Sequence, residues 1–462
     1  MKQLLIAFLL FGFATFGQEL TAKELTYTEF LGFVKKYHPL VKNANLEINK
    51  AQANLMMARG GFDPKIEVDF SKKQFKDKEY YSILNNSFKI PTWYGIEIKA
   101  GFDNNEGLYL NPENTIPNQG LTSLGISIPL GQGLFINQRM ADVRKAKMQI
   151  KLSQFERKLQ AIAVLYDASL AYFNWKKNFN EVKMYEEYNK NAGIRFKGIK
   201  TSIIEGDKPA IDSIEAGILV KNRRLNLEDS KLKLAKAKLE LANFLWLENN
   251  IPFELSEEMI PETQLEFTIQ DTLKTNNLLN TDFSITNHPK INALQSKIDI
   301  LNVEKKLKAN MILPKIDVGY SYLSEPSYLD NYKFQDYKIG LDIYFPIFLR
   351  KERGSLKLAK YKVQETEFAL DLEKVQLSNK INAQRMEIES LLRQKELIKS
   401  LVEDNLTMLN SEERLFSFGE SSLFLINTRE NNLVSAQLSQ IALENRFYVS
   451  NSELFKIMAN PD

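Results

Sequence analysis

Hydrophobic periodicity divides the chain into two kinds of segment. Ile66, Val68 and Phe70 alternate with Lys65, Glu67 and Asp69; Ile96, Ile98 and Ala100 alternate with Glu97 and Lys99; Leu124, Ile126, Ile128 and Leu130 alternate with Gly125, Ser127 and Pro129. The period of two returns in Ile316, Val318, Tyr320 and Tyr322 and in Ile339, Leu341, Ile343 and Phe345. Such stretches predict strands with one apolar and one polar face. The long remainder is helical. Residues 139–192 and 355–417, 54 and 63 residues, contain neither Gly nor Pro, which predicts helices of about 80 and 95 Å. Each is followed by a glycine turn, at Gly206 and Gly419, and by a returning helix, Ala210 to Glu248 and Glu420 to Asn460.

The helices carry coiled-coil seams. Met148, Leu152, Phe155, Leu159, Ile162, Tyr166 and Phe173 follow heptad spacing, with Ser169 at the one missing position. Leu225, Leu232, Leu239 and Trp246 repeat every seven residues, and Leu227, Leu234 and Leu241 form a second seam two positions away. Ile388, Leu391, Ile398, Val402, Leu409 and Phe416 form another, interrupted by Lys395, Asn405 and Glu412. Mixed seams suit a helix in the wall of a tube, which packs neighbours on its flanks and keeps water on both faces. They also suit an ordinary coiled-coil rod.

The order of segments occurs twice. His38-Pro39 and His288-Pro289 each open a helical stretch, at an offset of 250 residues, and Pro64–Phe70 matches Pro314–Tyr320 at the same offset. Ile128-Pro129-Leu130 then matches Phe345-Pro346-Ile347 at an offset of 217, so the first copy carries 33 extra residues between its strands. Gly206-Asp207 matches Gly419-Glu420 at 213. Two copies of one unit make the chain.

The N-terminus predicts export. Lys2 precedes the apolar run Leu4 to Phe16, and the small residues Thr15 and Gly17 stand at the cleavage positions of a signal peptide, residues 1–17. The expected division is then 18–248 for the first repeat, 249–287 for a polar connecting segment with Pro252 and Pro261, and 288–462 for the second repeat. After the signal no run of 18 apolar residues occurs, so a membrane crossing must use strands. Aromatics at the strands, including Trp93, Tyr94, Tyr322 and Tyr328, suit a headgroup boundary.

Composition closes off several chemistries. The chain of 462 residues has no cysteine and two histidines, which argues against disulfides, thiolate nucleophiles and His-rich metal sites. A net charge of +3 gives no footprint for nucleic acid. No cofactor is expected. Gly131-Gln132-Gly133 lacks the third glycine of a dinucleotide loop and reads as a strand-to-helix bend. His38 and His288, both before Pro at helix entrances, read as a repeated structural contact.

Four principal strands per chain cannot wrap a barrel, because small spanning barrels need about eight and an open edge in lipid leaves backbone groups unpaired. The chain is therefore expected to oligomerise, in two, three or more copies.

Signal peptide, His-Pro helix, strand pair and long helical hairpin with a glycine turn, the last three twice over, resemble the TolC family of outer-membrane efflux and secretion channels. The stretches Pro91–Gly101, Leu110–Glu113 and Pro129–Gly133 look like its Bacteroidetes-type branch. The resemblance implies an α+β membrane protein: a homotrimer whose 12-stranded outer-membrane β-barrel continues into a 12-helix periplasmic α-helical barrel. It implies a passive conduit, not an enzyme, coupled through a periplasmic membrane-fusion adaptor to an inner-membrane pump of RND or ABC type. Function then falls at the hairpin tips. Gly206, Asp207 and Lys208 at the first, and Gly419, Glu420, Ser421 and Ser422 at the second, are candidate adaptor contacts. Leu425 and Thr428 stand where some members place pore-facing acids, so Asp207, Asp212, Glu215 and Glu420 are candidate substitutes at a pore constriction. The competing reading is a periplasmic coiled-coil structural or adaptor protein with a soluble β-subdomain.

Overall fold

The computed structural model describes residues 24–256, 258–275, 285–328 and 333–459; the signal segment 1–17 lies outside them. In chain order the elements are β1 (Glu24–Leu25), α1 (Tyr27–Tyr37), α2 (Pro39–Arg59), β2 (Lys65–Phe75), β3 (Lys78–Pro91), β4 (Glu97–Glu106) and β5 (Leu121–Pro129). Then come α3 (Gln138–Ile204), α4 (Ala210–Ala242), β6 (Ile260–Pro261), α5 (Leu265–Thr272), α6 (Pro289–Asn310), β7 (Lys315–Ser324), β8 (Tyr337–Tyr344), α7 (Arg350–Ser417) and α8 (Leu423–Met458). Contacts divide the chain into two compact units that cut across the sequence repeats. Among the described residues, one draws on 24–41, 163–256, 258–275 and 382–457, the other on 42–162, 285–328, 333–381 and 458–459.

The second unit holds one six-stranded antiparallel sheet in the order β2-β3-β4-β5-β7-β8. This corrects the expectation of four principal strands. Two strands are additional, the hairpin β3–β4: β4 takes up the alternating Ile96–Ala100 stretch from Glu97 onward, left out of that count, and β3 escaped the period-two reading because Ile83-Leu84 puts two apolar residues together and Asn85-Asn86-Ser87 puts polar residues on both faces. The register gathers the apolar positions on one side. Val68 opposes Asn86 and Phe70 opposes Leu84; Ile90 opposes Ile98; Ile98 opposes Ile126; Ile126 opposes Tyr320; Tyr320 opposes Ile339. The other face carries Glu67, Asp69, Lys89, Lys99, Ser127, Asp317 and Asp342, with a Lys89–Glu67 ion pair between strands. In the single chain the apolar face is bare: Val68 is 64% exposed, Leu124 60% and Leu341 61%.

The sheet's two ends differ. At one, α2 enters β2, β5 leaves for α3, and α6 and α7 flank β7 and β8; the β3–β4 turn with Trp93 and Tyr94 lies there too. At the other lie the turn Lys76-Asp77, both at positive φ, and the loops after β4 and β7. The Gly131–Gly133 segment is the strand-to-helix bend: the Gln132 N–H donates to Pro314 O at 2.9 Å and the Gly133 N–H to Asn310 Oδ1 at 2.9 Å, with Gly133 at φ +104°. Beneath it, Ile136 and Ala141 pack with Val303 and Leu307. A Cβ on Gly131 would sit 2.1 Å from Pro314 O, a backbone atom. Gly131→Ala is therefore expected to destabilise the fold by about 1–3 kcal/mol, read as a lower thermal midpoint.

The first unit is helical around an aromatic core. A Thr26–Glu29 capping box starts α1, which drives Tyr27 and Phe30 against Tyr172 and Phe173 with ring centroids 5.2–5.3 Å apart. Ser169, the small residue in the long seam, makes the space that Tyr27 fills, and their hydroxyls lie 2.7 Å apart. Burial pushes the Tyr27 phenol up to about 12. Part of the connecting segment docks here: β6 pairs in parallel with β1, and Tyr172 donates to Leu25 O while accepting from the Glu262 N–H.

Both long helices exceed their glycine-free windows, α3 passing through Gly193 and Gly198 to reach 67 residues and α7 including Gly354 to reach 68. The return helix is shorter than predicted, ending at Ala242 instead of Glu248. Phe253 donates to Leu245 O and Leu247 to Ile251 O, turning Trp246 into a bridge with Pro252. Trp246 is thus not a fourth heptad position. Of the two leucine seams, Leu227 and Leu241 are buried within the chain, while Leu225, Leu232 and Leu239 are exposed. His38 and His288 each accept at Nδ1 from the N–H two residues on, His38 also stacking on Phe244 at 5.5 Å. The shared imidazole contact at a helix start explains the repeated His-Pro.

Candidate functional site: the paired hairpin tips

The two tips lie in the helical unit and are built alike. Asp207 N–H donates to Ser202 O at 2.9 Å and Gly206 N–H to Ile203 O at 3.1 Å; Glu420 N–H donates to Leu415 O at 3.0 Å and Gly419 N–H to Phe416 O at 3.1 Å. These are two Schellman caps. Gly206 at φ +85° and Gly419 at φ +79° supply the left-handed residue each requires. Helix α4 then restarts after Pro209, and α8 after Ser422, whose hydroxyl accepts from the Leu425 N–H.

The tips pack on each other within one chain. Ile199, Ala216 and Leu423 form a small buried cluster joined by Phe196, Ile203 and Phe416. Lys208 places its ammonium 3.7 Å from the centre of the Phe416 ring. Ser421 donates to Glu412 Oε1 at 2.5 Å, and Arg429 lies 3.5 Å from the same carboxylate. Glu412, read from sequence as an interruption of the α7 seam, is thus the anchor of the second turn.

The four candidate acids take different places. Asp207 and Glu420 are exposed on the turns themselves, and Asp212 is half-buried in the first turn of α4, where the helix N-terminus favours a negative charge. Glu215 accepts from the Asn427 amide at 3.0 Å, so it ties α4 to α8. Leu425 is exposed, and the Thr428 hydroxyl turns back to Phe424 O at 2.8 Å. Exposed apolar side chains surround the turns: Ile204, Ile211, Ile214, Phe418 and Phe424.

Above the turns lies an ionic cluster that the sequence reading missed. Glu430 is buried; its Oε2 meets Arg195 at 2.5 Å, and Arg223, also buried, stands 3.9 Å from its Oε1. Arg195 reaches on to Glu413 at 2.8 Å and Arg223 donates to Asn431 at 2.7 Å. Tyr188, farther along α3 from the turn and with Arg223 over its ring, is pushed up to about 12, chiefly by burial and further by the Glu430 charge. The signal was present: Leu423, Ile426, Glu430 and Leu433 follow coiled-coil spacing, so Glu430 is a charge at an apolar position.

The candidate interface aromatics bracket the sheet. Trp93 stacks on Phe62 at 5.3 Å with Arg144 against it, and Tyr94 is exposed, both at the helix-bearing end. Tyr322 is the last residue of β7 paired with β8, and Tyr328 follows it at the opposite end, where Lys333 lies 5.5 Å from the Tyr328 ring. Among the described residues no helix is long and apolar enough to cross a membrane.

An amphipathic sheet joined through four connections to helices, two of them, α3 and α7, of more than 60 residues, is the fold of TolC-like outer-membrane channels. Solved structures share it over nearly the whole chain. The CmeC outer membrane channel of Campylobacter jejuni has 15% identity and a TM-score of 0.65, over 93% of this chain and 85% of its own. The open-state MtrE channel of Neisseria gonorrhoeae has 12% identity and 0.65, over 94% and 88%; the outer membrane protein VceC of Vibrio cholerae has 12% and 0.65, over 93% and 95%. Neither a protein-family model nor a curated protein sequence matches the chain.

Proposed function

We propose that this chain is one subunit of a homotrimeric exit duct in the outer membrane, a passive conduit for efflux or type I secretion. One observation carries the reading: a sheet whose apolar face is exposed along β2, β5 and β8 and at Phe88 and Ile98 between them, half-buried on β7, and whose opposite face carries charges. In water such a face is an aggregation hazard, whereas in lipid it is the outside of a barrel. That distinction favours the duct over a soluble coiled-coil adaptor. The resemblance in sequence and the shared fold add the helical barrel and assign it conduction without catalysis.

Two further features call for sister subunits. The edges β2 and β8 leave backbone groups that lipid cannot satisfy. On α4, Ile211, Ile218, Leu225, Leu232 and Leu239 repeat every seven residues and are all exposed, a seam that a neighbouring copy's helix would cover. The tips, with their exposed isoleucines and phenylalanines, are the surface for a periplasmic adaptor and through it an RND or ABC pump. The Bacteroidetes-type branch rests on the Pro91–Gly101, Leu110–Glu113 and Pro129–Gly133 stretches.

Asp212, on the first turn of α4, is the constriction candidate. Threefold symmetry would place three carboxylates around one axis and concentrate their field. Purified oligomer in a planar bilayer is expected to conduct, and Asp212→Ala to raise the single-channel conductance. Unchanged conductance would remove Asp212 from the constriction; no conductance from any preparation would remove the duct.

A further inference from the structure

The two sequence copies do not contribute equally to the sheet. Matching Pro64–Phe70 to Pro314–Tyr320 pairs β2 with β7, and matching Ile128–Leu130 to Phe345–Ile347 pairs β5 with β8. The 33 residues by which the first copy is longer correspond to the hairpin β3–β4, Lys78 to Glu106. This hairpin is not a flap on the sheet. It sits in the middle of it, β3 paired with β2 from Lys65↔Lys89 to Phe75↔Lys78 and β4 paired with β5 from Glu97↔Ser127 to Asp103↔Leu121.

From Ser87 to Asp103 its two faces continue those of its neighbours. Phe88 and Ile98 lie on the apolar side; Ser87, Lys89, Lys99 and Asp103 lie on the polar side. Inserting a whole hairpin adds an even number of strands, so β2 and β8 still run in opposite directions. Strand β2 of one copy can therefore pair antiparallel with β8 of the next, and no edge is left open.

We propose that each copy contributes six strands to the barrel wall, so that three copies close an 18-stranded barrel instead of the 12-stranded one the family resemblance implies. The inference rests on the trimeric-duct reading. Barrel diameter grows roughly linearly with strand number, so the pore through the membrane would be about 1.5 times as wide. Barrels of 16–18 strands enclose an open aqueous channel, and the lumen would be lined here by the polar face.

The absence of native cysteine permits a clean test. Single variants Phe88→Cys, Ile98→Cys, Ser87→Cys and Asp103→Cys are exposed in intact outer membranes to a membrane-impermeant maleimide. Ser87→Cys and Asp103→Cys are expected to label, and Phe88→Cys and Ile98→Cys to show loss of labelling. Electron cryomicroscopy of the unmodified oligomer, which does not depend on the variants folding, is expected to count 18 strands from three copies. Equal labelling of both faces, or a trimer with 12 strands and β3–β4 outside the wall, would overturn the inference and leave the duct standing. A water-soluble monomer would overturn both.

Discussion

Glu430→Ala is expected to destabilise the helical unit by about 3–5 kcal/mol. The carboxylate is 1% exposed and stands between Arg195 and Arg223. Removing it strands the Arg223 guanidinium, 5% exposed at its side chain, without its countercharge, and leaves Arg195 with only the more exposed Glu413. The cost comes from the buried positive charge left behind and not from the lost attraction, since a buried ion pair exchanged whole for apolar residues is often neutral. A combined Arg195→Met, Arg223→Leu, Glu430→Leu variant is therefore expected to recover most of the loss. Thermal unfolding followed by circular dichroism separates the two; equal loss in both would show that the charges themselves stabilise the tips.

Leu124→Arg carries the other large effect, and its sign depends on the solvent of the sheet. Leu124 is 60% exposed and opposes Ala100 and Tyr322. In water, a surface change of this kind would alter stability by no more than about 0.5 kcal/mol. Facing lipid near mid-strand it is expected to cost about 2–4 kcal/mol. Ser123→Arg, one residue away and on the opposite face, serves as the control and is expected to be nearly silent. The comparison is read from the yield of folded oligomer in lipid vesicles, and equal tolerance of both variants would argue that no lipid contacts the apolar face.

Much of the fold was legible because its periods are regular. Ile126 and Ile128 announce a strand, and the unbroken run from residue 139 announces a helix, by spacing alone. The long seams were also readable, down to the small Ser169 that admits Tyr27. What escaped was local departure from the pattern. Strand β3 carries Asn85-Asn86-Ser87 on both faces and owes its place to pairing with β2 and β4, which no single-strand period reports. The end of α4 at Ala242 depends on hydrogen bonds from Leu247 and Phe253, so the heptad appeared to run on through Trp246. At the tips the two glycine turns were plain, because positive φ leaves a residue-type signature. The Arg195–Glu430–Arg223 cluster was not, since its members are 28 and 207 residues apart along the chain and meet only after folding.

The most direct test is where the chain resides and in what form. Outer membranes washed with alkaline carbonate and urea should retain it, and detergent should then release a homo-oligomer with a central pore. Recovery of a stable monomer in the aqueous wash, without detergent, would contradict the assignment of the bare apolar face to lipid.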